Sequence, residues 1–114
     1  MARRKNCIGI SWARTMPPDQ PYYSIHTTKQ YRRDLKRMKK SGRYDFQKLD
    51  AVVDMLAREW TLPHEYYDHP LQGEWADRRE CHIQGDWVLV YRKEHDKLIL
   101  SLMRTGRHTD VFEE

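Results

Sequence analysis

The chain of 114 residues is poor in cysteine, and its two cysteines, Cys7 and Cys81, form no metal or redox spacing. It contains no C-x-x-C and no H-E-x-x-H, so those zinc-finger, thioredoxin-like and metalloprotease patterns are excluded. Such cysteine usage fits a reducing, cytoplasmic compartment. No apolar run approaches the roughly 20 residues of a membrane helix, so no membrane association is expected. Arg3, Arg4 and Lys5 open the chain with positive charge, but the apolar stretch of a signal peptide does not follow. Internal repeats and low-complexity segments are absent. The length suits one domain with a modest core and leaves no room for a cofactor domain. What is abundant is charge, at 33% of residues with a net +4, against 39% hydrophobic residues. That balance describes a globular domain suited to polyanionic partners, either nucleic acid or an acidic protein.

Residues 1–21 are expected to be a flexible basic extension, because Pro17, Pro18 and Pro21 resist helix and sheet. Met16 offers a second possible start. The domain proper is expected over residues 22–114. Tyr22 to His26 suits an edge strand, and Thr27 or Thr28 can cap the helix that follows. In that helix Tyr31, Leu35 and Met38 make one apolar stripe. Lys29, Arg32, Arg33, Lys36, Arg37, Lys39 and Lys40 cover the other faces, and Ser41-Gly42 ends it. Asp45 can cap a second helix whose core face is Phe46, Leu49, Val52, Val53, Leu56 and Trp60, stopped by Leu62-Pro63. A short glycine turn between the two predicts an antiparallel helical hairpin.

Beyond a loop holding His69 the apolar period becomes two. From Arg78 to Ile83, Arg79, Cys81 and Ile83 face one way, and Arg78, Glu80 and His82 the other. Gln84-Gly85-Asp86 reads as a tight turn. Trp87 to Tyr91 and Leu98 to Met103 read as two further strands, with Gly106 breaking the last before a short tail. The order β-α-α-β-β-β makes the fold α+β, a helical hairpin on a mainly antiparallel sheet.

The chemistry-bearing residues concentrate in and just after that loop. Glu80 and His82 share a strand face and can act on one ligand, while Cys81 points the other way as a buried thiol. His69 precedes Pro70, and His108 lies near the C-terminus beside Arg104. Taken singly, each histidine is as readily structural. Together with arginine and carboxylate in a basic chain, they suggest acid–base chemistry on a phosphodiester.

Asp68-His69-Pro70-Leu71-Gln72-Gly73, Trp75, Arg79-Glu80-Cys81-His82, Asp86-Trp87-Val88-Leu89-Val90-Tyr91, Arg104-Thr105-Gly106-Arg107-His108 and Phe112 closely resemble the YafQ-type toxins of the RelE/ParE superfamily. Thr28 to Arg37 is similar to the start of that family's first helix, and the resemblance covers about Tyr23 to Phe112. It implies an mRNA interferase of a type II toxin–antitoxin system that cleaves mRNA on the ribosome and is inhibited by a cognate antitoxin protein. No metal is required if protein cations stabilise the phosphorane, and no small-molecule cofactor is expected. By position, His69, His82, Asp86 and His108 match the family's principal active-site residues. Glu80 stands where the family often has Asp, which keeps the charge and lengthens its reach. Arg104 and Phe112 match positions linked to phosphate contact and substrate placement, and Arg79 is a second phosphate candidate. Trp87 matches a packing aromatic. The basic helix face from Lys29 to Lys40 would then contact ribosomal RNA.

The mechanism follows from RNA itself. A base deprotonates the 2′-hydroxyl, which attacks the adjacent phosphorus while an acid protonates the departing 5′-oxygen. His108 is expected as the acid and His69 or His82 as the base, with the two labels open to exchange. Asp86 and Glu80 would orient the histidines. Rival readings are a non-catalytic binder of the gyrase-inhibiting ParE type, an inactive RNA- or antitoxin-binding module, and a ribosome-independent ribonuclease.

Overall fold

In the computed structural model, which describes residues 23–112, Thr28 marks the turn from strand to helix. Its hydroxyl accepts the Tyr31 N–H, the geometry of an N-cap, and opens helix α1 (Lys29–Ser41). Gly42 closes that helix in a left-handed conformation, φ 69°. Asp45 accepts the Gln47 N–H and caps α2 (Phe46–Ala57). Five strands form one sheet: β1 (Ser24–Thr27), β2 (His69–Pro70), β3 (Arg79–Gln84), β4 (Trp87–Glu94) and β5 (Ile99–Arg107). A five-residue helix, α3 (His108–Phe112), ends the described chain.

The sheet order is β1-β5-β4-β3-β2. Only the β1–β5 pair is parallel. The fold is therefore α+β, as expected. Strand β4 is central, which explains its continuous apolar run: Leu89 and Tyr91 enter the main core, and Val88 and Val90 a smaller one on the opposite face. The main core joins Tyr31 and Met38 of α1 and Leu49, Val52 and Leu56 of α2 to the sheet. Leu71, Trp75, Val111 and Phe112 cover the smaller core.

Helix α1 also closes a sheet edge. Strand β1 leaves β5 at Leu102, and the Thr28 N–H and hydroxyl then donate to the Leu102 and Met103 carbonyls. Asp34 takes the next edge N–H, that of Thr105, at 3.1 Å.

Four expectations need correction. Helix α2 ends at Ala57 rather than near Leu62-Pro63. Glu59 adopts φ 65°, held by the Lys93 ammonium at 2.5 Å and the Tyr23 hydroxyl at 3.1 Å. This early end takes Trp60 off the core face and leaves it 37% exposed. The His69 loop contributes a short edge strand, β2. Gly106 does not break β5: it pairs with Val88 inside the ladder, at φ 144°, and the strand runs on to Arg107. The expectation for residues 1–21 lies outside the described residues.

Candidate active site

Directly opposed residues in a sheet share a face. The register sets His69 opposite Glu80, Glu80 opposite Val90, and Val90 opposite Arg104. The next row runs His82, Val88, Gly106. Two histidines and a carboxylate are thus brought onto one face by backbone pairing alone. His108 joins them because its N–H donates to the Asp86 carbonyl at 2.7 Å, which fixes the start of α3 against the β3–β4 turn.

Glu80 is the centre of this cluster. It is 2% exposed, and three imidazoles ring its carboxylate. His69 Nε2 lies 2.9 Å and His82 Nε2 4.0 Å from Oε1, and His108 Nε2 lies 3.5 Å from Oε2. Ring centroids are 6.5 Å apart for His69 and His82, and 6.4 Å for His82 and His108. Oε2 has no hydrogen-bond partner although it is buried. All three rings keep one side toward solvent, with side chains 32%, 29% and 50% exposed in chain order.

Hydrogen bonds locate protons here. His69 Nδ1 is 2.8 Å from the Tyr67 carbonyl. A carbonyl only accepts, so Nδ1 carries hydrogen. Its Nε2 is thereby turned toward Glu80 Oε1, at 2.9 Å. His82 makes a longer contact of the same kind, Nδ1 to the Gly85 carbonyl at 3.3 Å.

The remaining candidates take different places. The Asp86 side chain is 68% exposed and turns to Arg107 at 3.8 Å, so this residue meets the cluster through its carbonyl. Phe112 stacks on His108 at 4.7 Å and on Trp75 at 5.4 Å. Arg79 projects to the helix side of the sheet. There it donates twice to Asp68 at 3.3 Å, and Tyr91 donates to the same carboxylate at 2.6 Å. Its guanidinium is therefore apart from the histidines. Cys81 is buried on that side too, where burial, then the Asp68 and Glu80 charges, push its thiol up and keep it protonated.

Arg104 shares the face of Glu80, but Asp34 already matches its charge. Its Nε and Nη2 donate to that carboxylate at 3.0 and 3.3 Å, and Nη1 donates to the Val111 carbonyl at 3.4 Å. Arg104 thereby ties α1 to the helix that carries His108. Arg37 donates to the same carboxylate at 3.5 Å, and its Nη2 comes as close to where a Cβ on Gly106 would stand. One buried carboxylate between two guanidiniums leaves positive charge beside the cluster. The seven basic residues of α1 are all exposed; Arg32 is held on the Thr27 carbonyl and hydroxyl.

Sequence reasoning missed Asp34 and Tyr67. The first had a signal: it falls at i+3 from Tyr31 and i−4 from Met38, inside the apolar stripe, where a carboxylate must be paired. Among the described residues no group of three or more His, Cys, Asp or Glu is arranged to hold a metal ion, and no helix is long and apolar enough to cross a membrane.

A family model described as the bacterial toxin of type II toxin–antitoxin system, YafQ, matches residues 23–113. The mRNA interferase toxin YafQ of Escherichia coli K12 is 40% identical over 89 residues, covering 77% of this chain and 94% of that protein. The Putative toxin YafQ of Haemophilus influenzae is 36% identical over 91 residues, covering 75% and 89%. Among solved structures, a metal-bound toxin from Helicobacter pylori superposes with a TM-score of 0.74 at 41% identity, covering 79% of this chain and 99% of that one. A chain of the E. coli DinJ-YafQ toxin–antitoxin complex gives 0.71 at 37% identity, covering 79% and 97%. The chain belongs to the YafQ family of type II toxin–antitoxin toxins.

Proposed function

We propose that this protein cuts mRNA on the ribosome, using the RNA's own 2′-hydroxyl and the Glu80-centred histidines. Its relatives' name, mRNA interferase toxin, makes the coarse activity endoribonuclease. The observation that carries the finer reading is the convergence of three imidazoles, from β2, β3 and α3, on one buried carboxylate. In-line displacement needs a base on one side of the phosphorus and an acid on the other, and separately mounted rings supply both. His108, the most exposed ring and the one packed on Phe112, is assigned the acid; His69 or His82 is the base. Glu80 orients all three and accepts or returns a proton. Each acid or base is worth about 10²–10⁴-fold.

The phosphorane's charge is met by the cationic pair Arg104 and Arg37 that shares Asp34, and Phe112 places the substrate. The exposed basic face of α1 begins at Arg37 beside Gly106 and extends the same field toward ribosomal RNA. The partners are mRNA, the ribosome and a cognate antitoxin, by analogy with the DinJ-YafQ complex, in the cytoplasm. The chemical step needs no metal. The metal of the Helicobacter pylori toxin offers a competing account, and EDTA on free RNA or pre-assembled ribosome complexes separates the two. The direct test adds purified protein to translating ribosomes and maps mRNA 5′ ends. New ends within translated codons, lost in His108→Ala, are expected. Growth arrest that persists in His108→Ala without cleavage would favour the non-catalytic binder.

A further inference from the structure

Tyr67 is the most exposed large aromatic on the described surface, at 61%, yet it is not loose. Its backbone takes φ 50°, a left-handed conformation that bulky residues seldom adopt. Its N–H donates to the His64 carbonyl at 3.0 Å, and its own carbonyl accepts a hydrogen bond from His69 Nδ1 at 2.8 Å. The ring is braced against two members of the histidine cluster, 4.7 Å from His69 and 5.5 Å from His82. Local strain thus holds an apolar plane in water beside the reacting groups.

A cleft of about 600 Å³ opens on the same side, lined by Tyr67 and His82 together with Lys48, Glu65 and Gln84. Its volume suits one nucleotide. A rigid aromatic at the mouth of a polar cleft, beside an acid–base centre, matches the needs of a splayed nucleobase: a face to stack on and edge partners within reach.

We infer that Tyr67 is a substrate-positioning residue that stacks the base next to the scissile phosphate and directs it into this cleft. The inference rests on the proposed RNA cleavage. Base–aromatic stacking implies that loss of the ring weakens single-strand binding by about 5- to 150-fold. As the ring takes no part in proton transfer, the loss falls on KM rather than kcat.

Tyr67→Asn removes the ring and tolerates the left-handed backbone, while Tyr67→Trp keeps an aromatic plane. Both are compared with the parent protein in two assays. The first measures binding of a uniformly 2′-O-methylated single-stranded RNA, which cannot be cut, by fluorescence anisotropy. The second maps and times mRNA cleavage on ribosomes. The expected result is weaker binding, raised KM and redistributed cleavage positions in Tyr67→Asn, with recovery in Tyr67→Trp. Equal binding and equal positions in Tyr67→Asn would overturn the inference, as would a fall in kcat alone. If the parent protein cuts nothing, the cleavage reading fails; the binding assay still decides the stacking.

Discussion

Two buried carboxylates sit at the ends of this sheet's working face, and they are treated oppositely. Asp34 is 0% exposed and saturated: Arg104 twice, the Thr105 N–H, Arg37 and Gln30 all donate to it. Glu80 is nearly as buried, yet one of its oxygens has no hydrogen-bond partner and its neighbours are imidazoles at 2.9–4.0 Å. Burying charge is costly unless it is paired and hydrogen-bonded. The saturated site meets that requirement with permanent cations, which suits a brace between α1, β5 and α3. The unsaturated site meets it with groups that can change protonation, which suits chemistry.

If this contrast is right, substitutions at the two sites separate activity from stability. The largest effect is expected at His108→Ala, with cleavage reduced by about 10²–10⁴-fold and little change in unfolding. His108 is half exposed and its backbone N–H anchor on Asp86 survives the substitution, so the thermal midpoint should stay close to the parent's. A pH–rate profile unchanged in shape would remove it as the acid.

Asp34→Ala comes next and acts on the fold. It strands Arg104 without its carboxylate and should destabilise by about 3–5 kcal/mol, read from urea unfolding. A stable, active Asp34→Ala protein would end the description of that site as a brace.

Glu80→Gln sharpens the comparison most. Removing the charge that faces three imidazoles, His69 nearest at 2.9 Å, should lower cleavage by about 10- to 100-fold, the usual scale for losing a group that orients reacting residues. Stability should hold or rise, because an under-satisfied buried charge has been removed. Destabilisation as large as that of Asp34→Ala would erase the distinction between the two sites. The smallest effect is expected on α1. Each exposed lysine replaced, Lys36 or Lys40, should reduce the slope of log affinity against log salt by about 0.7 and leave the unfolding midpoint unchanged.

The sequence carried these two sites unequally. Period-two alternation put Glu80 and His82 on one face and Cys81 on the other, because alternation in a strand is a matter of backbone geometry. The caps at Thr28, Gly42 and Asp45 were equally legible, since local hydrogen bonding decides them. The end of α2 was not, because Glu59 is held in a left-handed turn by Lys93 and Tyr23, residues distant in the chain. Burial, and then the Glu59 carboxylate, push the Tyr23 phenol up to about 12. Gly106 misled for a related reason: its φ of 144°, which other residues rarely adopt, sits within the ladder opposite Val88 rather than at a break. Asp86 was marked as a candidate, but the atom that meets the cluster is its carbonyl, which no residue pattern encodes. Arg104 was marked only as a phosphate contact, and its pairing with Asp34 went unseen because that partner lies 70 positions earlier.

The central claim, that imidazoles around Glu80 drive attack by the RNA's own 2′-oxygen, is tested most directly by a single 2′-deoxynucleotide placed at a mapped cleavage site. The account predicts that cutting at that position stops, while the unsubstituted RNA yields a 2′,3′-cyclic or 3′-phosphate end and a 5′-hydroxyl. Cleavage that continues through the deoxy position and leaves a 5′-phosphate would contradict it.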